Sequence, residues 1–252
     1  MDDRTLRTRL WTGFARLQTL LGGHAGPGSV IERDGLVASV VPSAPESPTL
    51  NAAVALDPDR ALEHLAELRE RYDGASVRRW GVWLDGSATE AALALLDEGL
   101  IVTASSPGMG AAIDQLPERA GASAATPRPA DLATVGRVND LAYGNYDARL
   151  ERTLRPLPNG ILKAYRADLD GEPAAVAMAL HHDADCGVSF VATVPRARRQ
   201  GLATRVMREA IGEARAHGCT STTLQATDLG ERLYANLGYR RLCDMQLWER
   251  RR

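Results

Sequence analysis

The chain has 252 residues, 44% of them hydrophobic and 25% charged, with a net charge of -2. This balance is ordinary for a soluble globular protein and excludes a nucleic-acid binder that relies on bulk positive charge. No apolar run reaches the roughly 20 residues a membrane helix needs, and "MDDRTLRTRLWTGF" lacks the apolar core and cleavage site of a signal peptide. A cytoplasmic protein with no membrane and no nucleic-acid partner is expected. Cys186, Cys219 and Cys243 are far apart and odd in number. They read as reduced thiols, and no metal-ligand spacing is present. Lys163 is the only lysine in a Lys+Arg total of 30, which with the abundant alanine suggests a GC-rich bacterial coding bias.

In chain order, Arg4 to Leu21 carries Leu6, Leu10, Trp11, Phe14, Leu17 and Leu21 at helical spacing. Gly35 to Val41 and "LNAAVAL" read as strands separated by the turn "APESPT". Pro58 opens a helix expected to run to about Arg71. "RRWGVWLD", "ATEAALALLDEG" and "LIVTASS" read as strand, helix and strand. "PERAGASAATPRPAD", Pro117 to Asp131, is a connection between two halves, with domains expected at 1–119 and 124–252.

The second half opens on a helix from Asp131 to Tyr143 with Asp131 as N-cap. The irregular "YGNYDARLERTLRPLPNG" follows, then "ILKAYRADL", "AAVAMALHH" and "CGVSFVATV" joined by the turns "DGEP" and "DAD". Three strands on short turns make an antiparallel meander. A helix runs from Gly201 to His217. "TSTTLQAT", "LGERLYANLG" and "YRRLCDMQLWER" read as a strand, a helix and a closing strand pair. The order strand, helix, glycine, strand occurs late in both halves, a weak internal repeat.

Chemistry concentrates in "VSFVATVPRARRQGLATRVM". A strand ends at Pro195, arginines follow, and a helix starts at Gly201. A helix N-terminus offers unpaired N–H groups and the positive end of the helix dipole, and together these bind phosphates. Gly201 and Ala203 keep bulk away from that first turn, while Arg198 and Arg199 add charge. The loop lacks the lysine and paired glycines of a P-loop and carries no G-x-G-x-x-G.

Arg198-Arg199-Gln200-Gly201-Leu202-Ala203 resembles the (Arg/Gln)-x-x-Gly-x-(Gly/Ala) segment of the GNAT superfamily of N-acetyltransferases. Leu233-Tyr234 and Gly238-Tyr239 resemble the family's later signature. The resemblance covers about Thr126 to Arg252. It implies an α/β (α+β) fold: a mixed, mostly antiparallel central sheet flanked by helices, with the first half a degenerate second GNAT-like unit. It also implies acetyl-CoA as cosubstrate, without a metal. The pantetheine arm would pair with the main chain of Val191, Ala192 and Thr193, and the pyrophosphate would lie on the amides from Arg199 through Gln200, Gly201, Leu202 and Ala203 to Thr204. Tyr234 would be the general acid to the departing thiolate. A phenol suits that role, since it can donate a hydrogen bond and then yield its proton.

Thr227 stands where many family members have an asparagine; its hydroxyl could contact the cofactor arm. Neither "GVSFVATV" nor "STTLQAT" supplies the carboxylate base that many members carry. Water, or a residue of the irregular stretch, would take that role. Tyr143, Asn145, Tyr146 and Asp147 could contact the acceptor or simply pack at a helix end. His181 and His182, beside Asp183 and Asp185, read as a solvated hairpin end, with a base or metal site as the alternative. Asp57 and Asp59 stand where phosphates would go in the first half, so no cofactor site is expected there. The resulting expectation is an enzyme moving an acetyl group to a primary amine of a small molecule or peptide, as a monomer or homodimer. The alternative is a non-catalytic acyl-CoA-binding regulatory module.

Overall fold

The computed structural model describes residues 1–24, 26, 29–117, 128–158 and 160–251. Most of the expected connection, with the boundary between 119 and 124, lies outside them. In chain order the elements are α1 (Asp3–Gly23), β1 (Val30–Arg33), β2 (Leu36–Ser39), β3 (Ala52–Ala55), α2 (Pro58–Leu62), α3 (Leu65–Gly74), β4 (Arg79–Asp85), α4 (Thr89–Asp97) and β5 (Ile101–Ala112). Then come β6 (Arg128–Pro129), α5 (Leu132–Tyr143), α6 (Arg149–Leu154), β7 (Leu162–Leu169), β8 (Glu172–His182), β9 (Asp185–Thr193), α7 (Leu202–Ala216), β10 (Ser221–Gln225), α8 (Asp228–Leu237) and β11 (Arg240–Arg251). They form two compact units. The first holds Trp11–Gly108 and Leu242–Arg252; the second holds Met1–Leu10 and Met109–Arg241. Each unit therefore takes in residues from the far end of the sequence.

In the first unit the strand order is β1-β2-β3-β4-β11. β3 and β4 are parallel, while β1 with β2, β2 with β3, and β4 with β11 are antiparallel. "RWGVWLD" is buried along almost its whole length, as a strand covered on both faces must be. On one face Trp80, Val82 and Leu84 join Leu65, Leu68, Tyr72, Ala91 and Leu95 in the core, with Tyr72 stacked on Trp80 at 4.8 Å. On the other, Trp83 meets Phe14 edge-on at 5.4 Å, and Trp11 Nε1 donates to Asp85 Oδ2 at 3.2 Å.

Two expectations change here. The helix after Pro58 is two pieces. A Cβ at Gly35 would sit 2.6 Å from Arg60 Cβ, so α2 lies tight against that turn and the chain redirects after Leu62. The closing segment is one strand, not a pair. "LCDMQ" has no turn residue at its middle beyond a single aspartate, and β11 pairs with β4 without interruption from Met245↔Asp85 to Arg251↔Arg79.

In the second unit the order is β10-β9-β8-β7-β6, antiparallel except for β9 with β10. Two-residue turns with both φ values positive close the meander: Asp170-Gly171 (55° and 84°) and Asp183-Ala184 (44° and 58°). That geometry matches the twist of antiparallel strands. Ala174 to Ala179 are 0% exposed, because α5 and α7 both pack on β8. From α7, Val206, Met207, Ala210, Ile211 and Ala214 face inward. α6, unforeseen in the irregular stretch, packs so closely on α5 that a Cβ at Gly136 would lie 2.4 Å from Glu151 Cα.

Candidate active site

β9 holds the centre of the site. Its parallel pairing with β10 ends at Leu224↔Val188, whereas its pairing with β8 continues to Ala175↔Thr193. Ser189 to Thr193 therefore have one edge without β10. β10 itself ends at Gln225, and a β-bulge in β9 begins at the same level. The β8 register moves from Met178↔Ser189 to Val176↔Ala192, placing Phe190 and Val191 opposite Ala177 alone. Phe190 takes φ +52°, a left-handed conformation that costs a non-glycine residue on the order of 1 kcal/mol. A bulge bends its strand and sharpens the twist. The bent edge, Val191 and Thr193 half-buried and Ala192 buried, suits an extended chain added as one more strand.

β9 leads through Val194 and the short turn Pro195–Ala197 to the start of α7. Arg199 (φ +64°) and Gly201 (φ +76°) are both left-handed. No side chain caps α7; its backbone ladder begins with Arg205 N donating to Gly201 O at 3.1 Å. The amides of Leu202, Ala203 and Thr204 are thus the unpaired first-turn donors. A Cβ on Gly201 would meet nothing within 4 Å, so the approach is open. Arg199 and Gln200 are exposed beside it. Concave runs of backbone N–H with alternating backbone hand can hold anions.

Tyr234 sits on α8, 6% exposed. Its ring lies edge-on to Tyr239 at 6.0 Å, and it packs close on Gly230, where a Cβ would lie 3.0 Å from Tyr234 Cε2. Burial, with a smaller contribution from nearby Tyr143, raises the Tyr234 phenol well above its usual range, so it holds its proton at neutral pH. Tyr239 hydrogen-bonds Thr222 Oγ1 at 2.9 Å. The Thr227 hydroxyl is engaged by the backbone, since as N-cap of α8 it accepts from Gly230 N at 3.2 Å.

The expected acceptor residues lie on the turn between α5 and α6. Tyr143 is 56% and Tyr146 87% exposed, Asn145 is half-buried, and Asp147 pairs with Arg149 at 3.2 Å. The pin of this turn was not apparent in the sequence. Asp140, 3% exposed, accepts from Leu150 N (3.1 Å) and Glu151 N (3.0 Å) through its carboxylate, and from Asn145 N (2.8 Å) through its carbonyl. In the sequence it looks like a solvent-facing helix residue.

The His181-His182 hairpin end is solvated at its turn, where Asp183 and Ala184 are exposed, but His182 and Asp185 are buried. The His182 side chain is 1% exposed, between Asp185 Oδ2 (3.4 Å) and Asp183 Oδ2 (3.6 Å). Asp185, fully buried, accepts from Thr223 Oγ1 at 2.6 Å and from Ser221 Oγ. It stands at the start of β9, away from the bulged end. No group of three or more His, Cys, Asp or Glu able to hold a metal ion occurs among the described residues. No described helix is long and apolar enough to cross a membrane.

This is the GNAT acetyltransferase fold, in a tandem arrangement of two GNAT-like units. Residues 136–239 match the family model for the Acetyltransferase (GNAT) family. Among solved structures, the chain is similar to a GCN5-related N-acetyltransferase from Kribbella flavida (21% identity, TM-score 0.69, 96% of this chain and 94% of that one). It is also similar to a putative GNAT-family acetyltransferase from Novosphingobium aromaticivorans (21%, TM-score 0.58, 92% and 94%). A tandem GNAT protein from the clavulanic acid biosynthesis pathway aligns over 99% of this chain and 95% of its own, with 13% identity and a TM-score of 0.61. No curated protein matches the chain.

Proposed function

We propose that the second unit transfers an acetyl group from acetyl-CoA to a primary amine, by direct attack, with Tyr234 as general acid. The observation that carries this reading is the free edge of β9 from Ser189 to Thr193, running into the uncapped start of α7. The edge would take the pantetheine arm, and the amides of Leu202, Ala203 and Thr204 the diphosphate. Bound acetyl-CoA supplies an activated acyl thioester. The chain holds the two reactants side by side, with main-chain N–H near Ala192 aimed at the thioester oxygen. As the carbon–sulfur bond breaks, the Tyr234 hydroxyl gives its proton to the leaving sulfur, and the proton released by the attacking nitrogen passes to water, from which the phenol is restored. Burial weakens the phenol as an acid, but the same dry surroundings raise the proton affinity of a thiolate beside it. Cys186 is fully buried and burial raises its thiol well above the usual range, so it is no nucleophile.

The first unit is read as having no cofactor site. Its corresponding helix start belongs to α2, where Pro58 has no N–H and Asp57 Oδ1 already accepts from Asp59 N (3.2 Å) and Arg60 N (3.3 Å). Calorimetry with CoA should therefore give one site per chain. Two equivalent sites would refute this reading of the first unit, and none would remove the cofactor assignment.

One observation favours the non-catalytic acyl-CoA-binding module. The carboxylates nearest the expected acceptor turn are committed, Asp140 to backbone amides and Asp147 to Arg149. Free-thiol release from acetyl-CoA with a mixed panel of amines separates the two readings: release supports the enzyme, and binding without release across the panel supports the module.

A further inference from the structure

Arg198 stands at the first position of the phosphate-loop motif, yet its side chain points elsewhere. Nε donates to Thr193 O at 3.2 Å, and Nη2 donates to Ala142 O at 2.9 Å. One guanidinium thus joins the last residue of the bulged cofactor strand to the last turn of α5. Ala142 immediately precedes Tyr143 and the turn that carries Asn145 and Tyr146. Asp140 fixes the same turn from within, through Asn145, Leu150 and Glu151. Tyr143 in turn lies near enough to Tyr234 to contribute to the raised affinity of that phenol for its proton.

We propose that Arg198 is a positioning residue that ties the acceptor-side turn 143–149 to the cofactor strand, so that an occupant of the strand edge is sensed at the acceptor wall. The inference rests on the acyl-CoA reading of the second unit. The chemistry suits arginine and not lysine. A planar fork can reach two carbonyls on separate elements in fixed directions, whereas an ammonium is a single point on a flexible stem. A bond to Thr193 O also holds the strand at the place where Pro195 forbids further pairing. Arg199, left-handed and exposed next to the α7 amides, is placed to serve the phosphates instead.

Amide hydrogen exchange and calorimetry on the full chain, with CoA as the probe, test this. In the wild type CoA should slow exchange both at 199–204 and at 143–149. R198A should speed exchange at 143–149 at least about tenfold without ligand. It should bind CoA within about threefold of wild type, as expected when no phosphate contact is lost, and keep the protection at 199–204 while losing it at 143–149. R199A should do the reverse, weakening CoA and leaving 143–149 coupled. R198K, which keeps the charge but not the fork, should behave as R198A; this variant also serves if R198A does not fold. CoA affinity lost in R198A as fully as in R199A, with exchange at 143–149 unchanged, would overturn the proposal and make Arg198 a phosphate ligand. If CoA does not bind the wild type, the acyl-CoA reading falls, and the coupling proposal falls with it. The tether itself then stands or falls on exchange in the ligand-free protein.

Discussion

At the scale of single residues, Tyr234 is where the proposed chemistry is most exposed to test. Tyr234→Phe keeps the ring that packs on Gly230 and Tyr239 and removes only the hydroxyl. Turnover should fall by about 10²–10⁴-fold, the usual worth of a placed proton donor, while CoA affinity measured by calorimetry stays within about twofold. Unchanged turnover would remove Tyr234 from the mechanism. Its raised pKa also fixes a sign: the donor stays protonated through pH 9, so the rate of thiol release should show no alkaline loss from this group below about pH 10. The strand, the turn and the helix start around Arg199 and Gly201 were legible from sequence, since spacing alone sets them beside one another, whereas the role expected of Tyr234 came from the family resemblance. Thr227, Arg198 and Asp140 were not legible in the same way. Their partners are backbone groups chosen by how elements dock, which no spacing records.

At the scale of elements, the acceptor side depends on two short helices meeting without a side chain between them. Gly136→Ala would place a methyl 2.4 Å from Glu151 Cα and 2.5 Å from its N, both main-chain atoms that cannot step aside. Overpacking of this kind costs roughly 1–3 kcal/mol, and thermal unfolding should shift down by about 3–10 °C. α6 should move away from α5, loosening the turn at Tyr143 and Tyr146 before it disturbs the α7 start. Exchange at 143–149 rising while 199–204 stays protected by CoA would bear this out; parallel loss at both would not. Most elements followed from periodicity and punctuation. The meander was visible in its three strands joined by short turns, and α5 in its aspartate cap, which accepts from Thr134 N at 2.6 Å. The bulge at Phe190 was invisible. A phenylalanine has no preference for φ +52°, and the conformation is imposed by the register of β8 on either side.

At the scale of the whole chain, each unit draws residues from both ends of the sequence. Chains cut in the 118–127 region and expressed separately as 1–117 and 128–252 should each fail to fold cooperatively. The first would lack the β11 residues that pair with β4 from Asp85 to Arg79, and the second would lack Met1–Leu10 and Met109–Leu116. Two sharp, independent unfolding transitions from the separate pieces would refute this. A second expectation concerns pH. Tyr72, Tyr165, Tyr234 and Tyr239 all have phenols raised by burial. Unfolded phenols ionise near pH 10 while the folded ones do not, so above that pH the unfolded chain binds fewer protons. The stabilisation is complete below about pH 10 and declines as pH rises further. The denaturant midpoint should drop between pH 9 and pH 11, and a constant midpoint would contradict the burial of these rings. The sequence by itself determined most of the elements, the phosphate-loop motif and the family resemblance, because these depend on neighbours within a few positions of one another. Only the tertiary structure decided where β9 parts from β10, which carbonyls Arg198 holds, and which unit owns the last strand. Those outcomes are set by pairing between residues tens to hundreds of positions apart, where many partners have suitable chemistry and packing selects one.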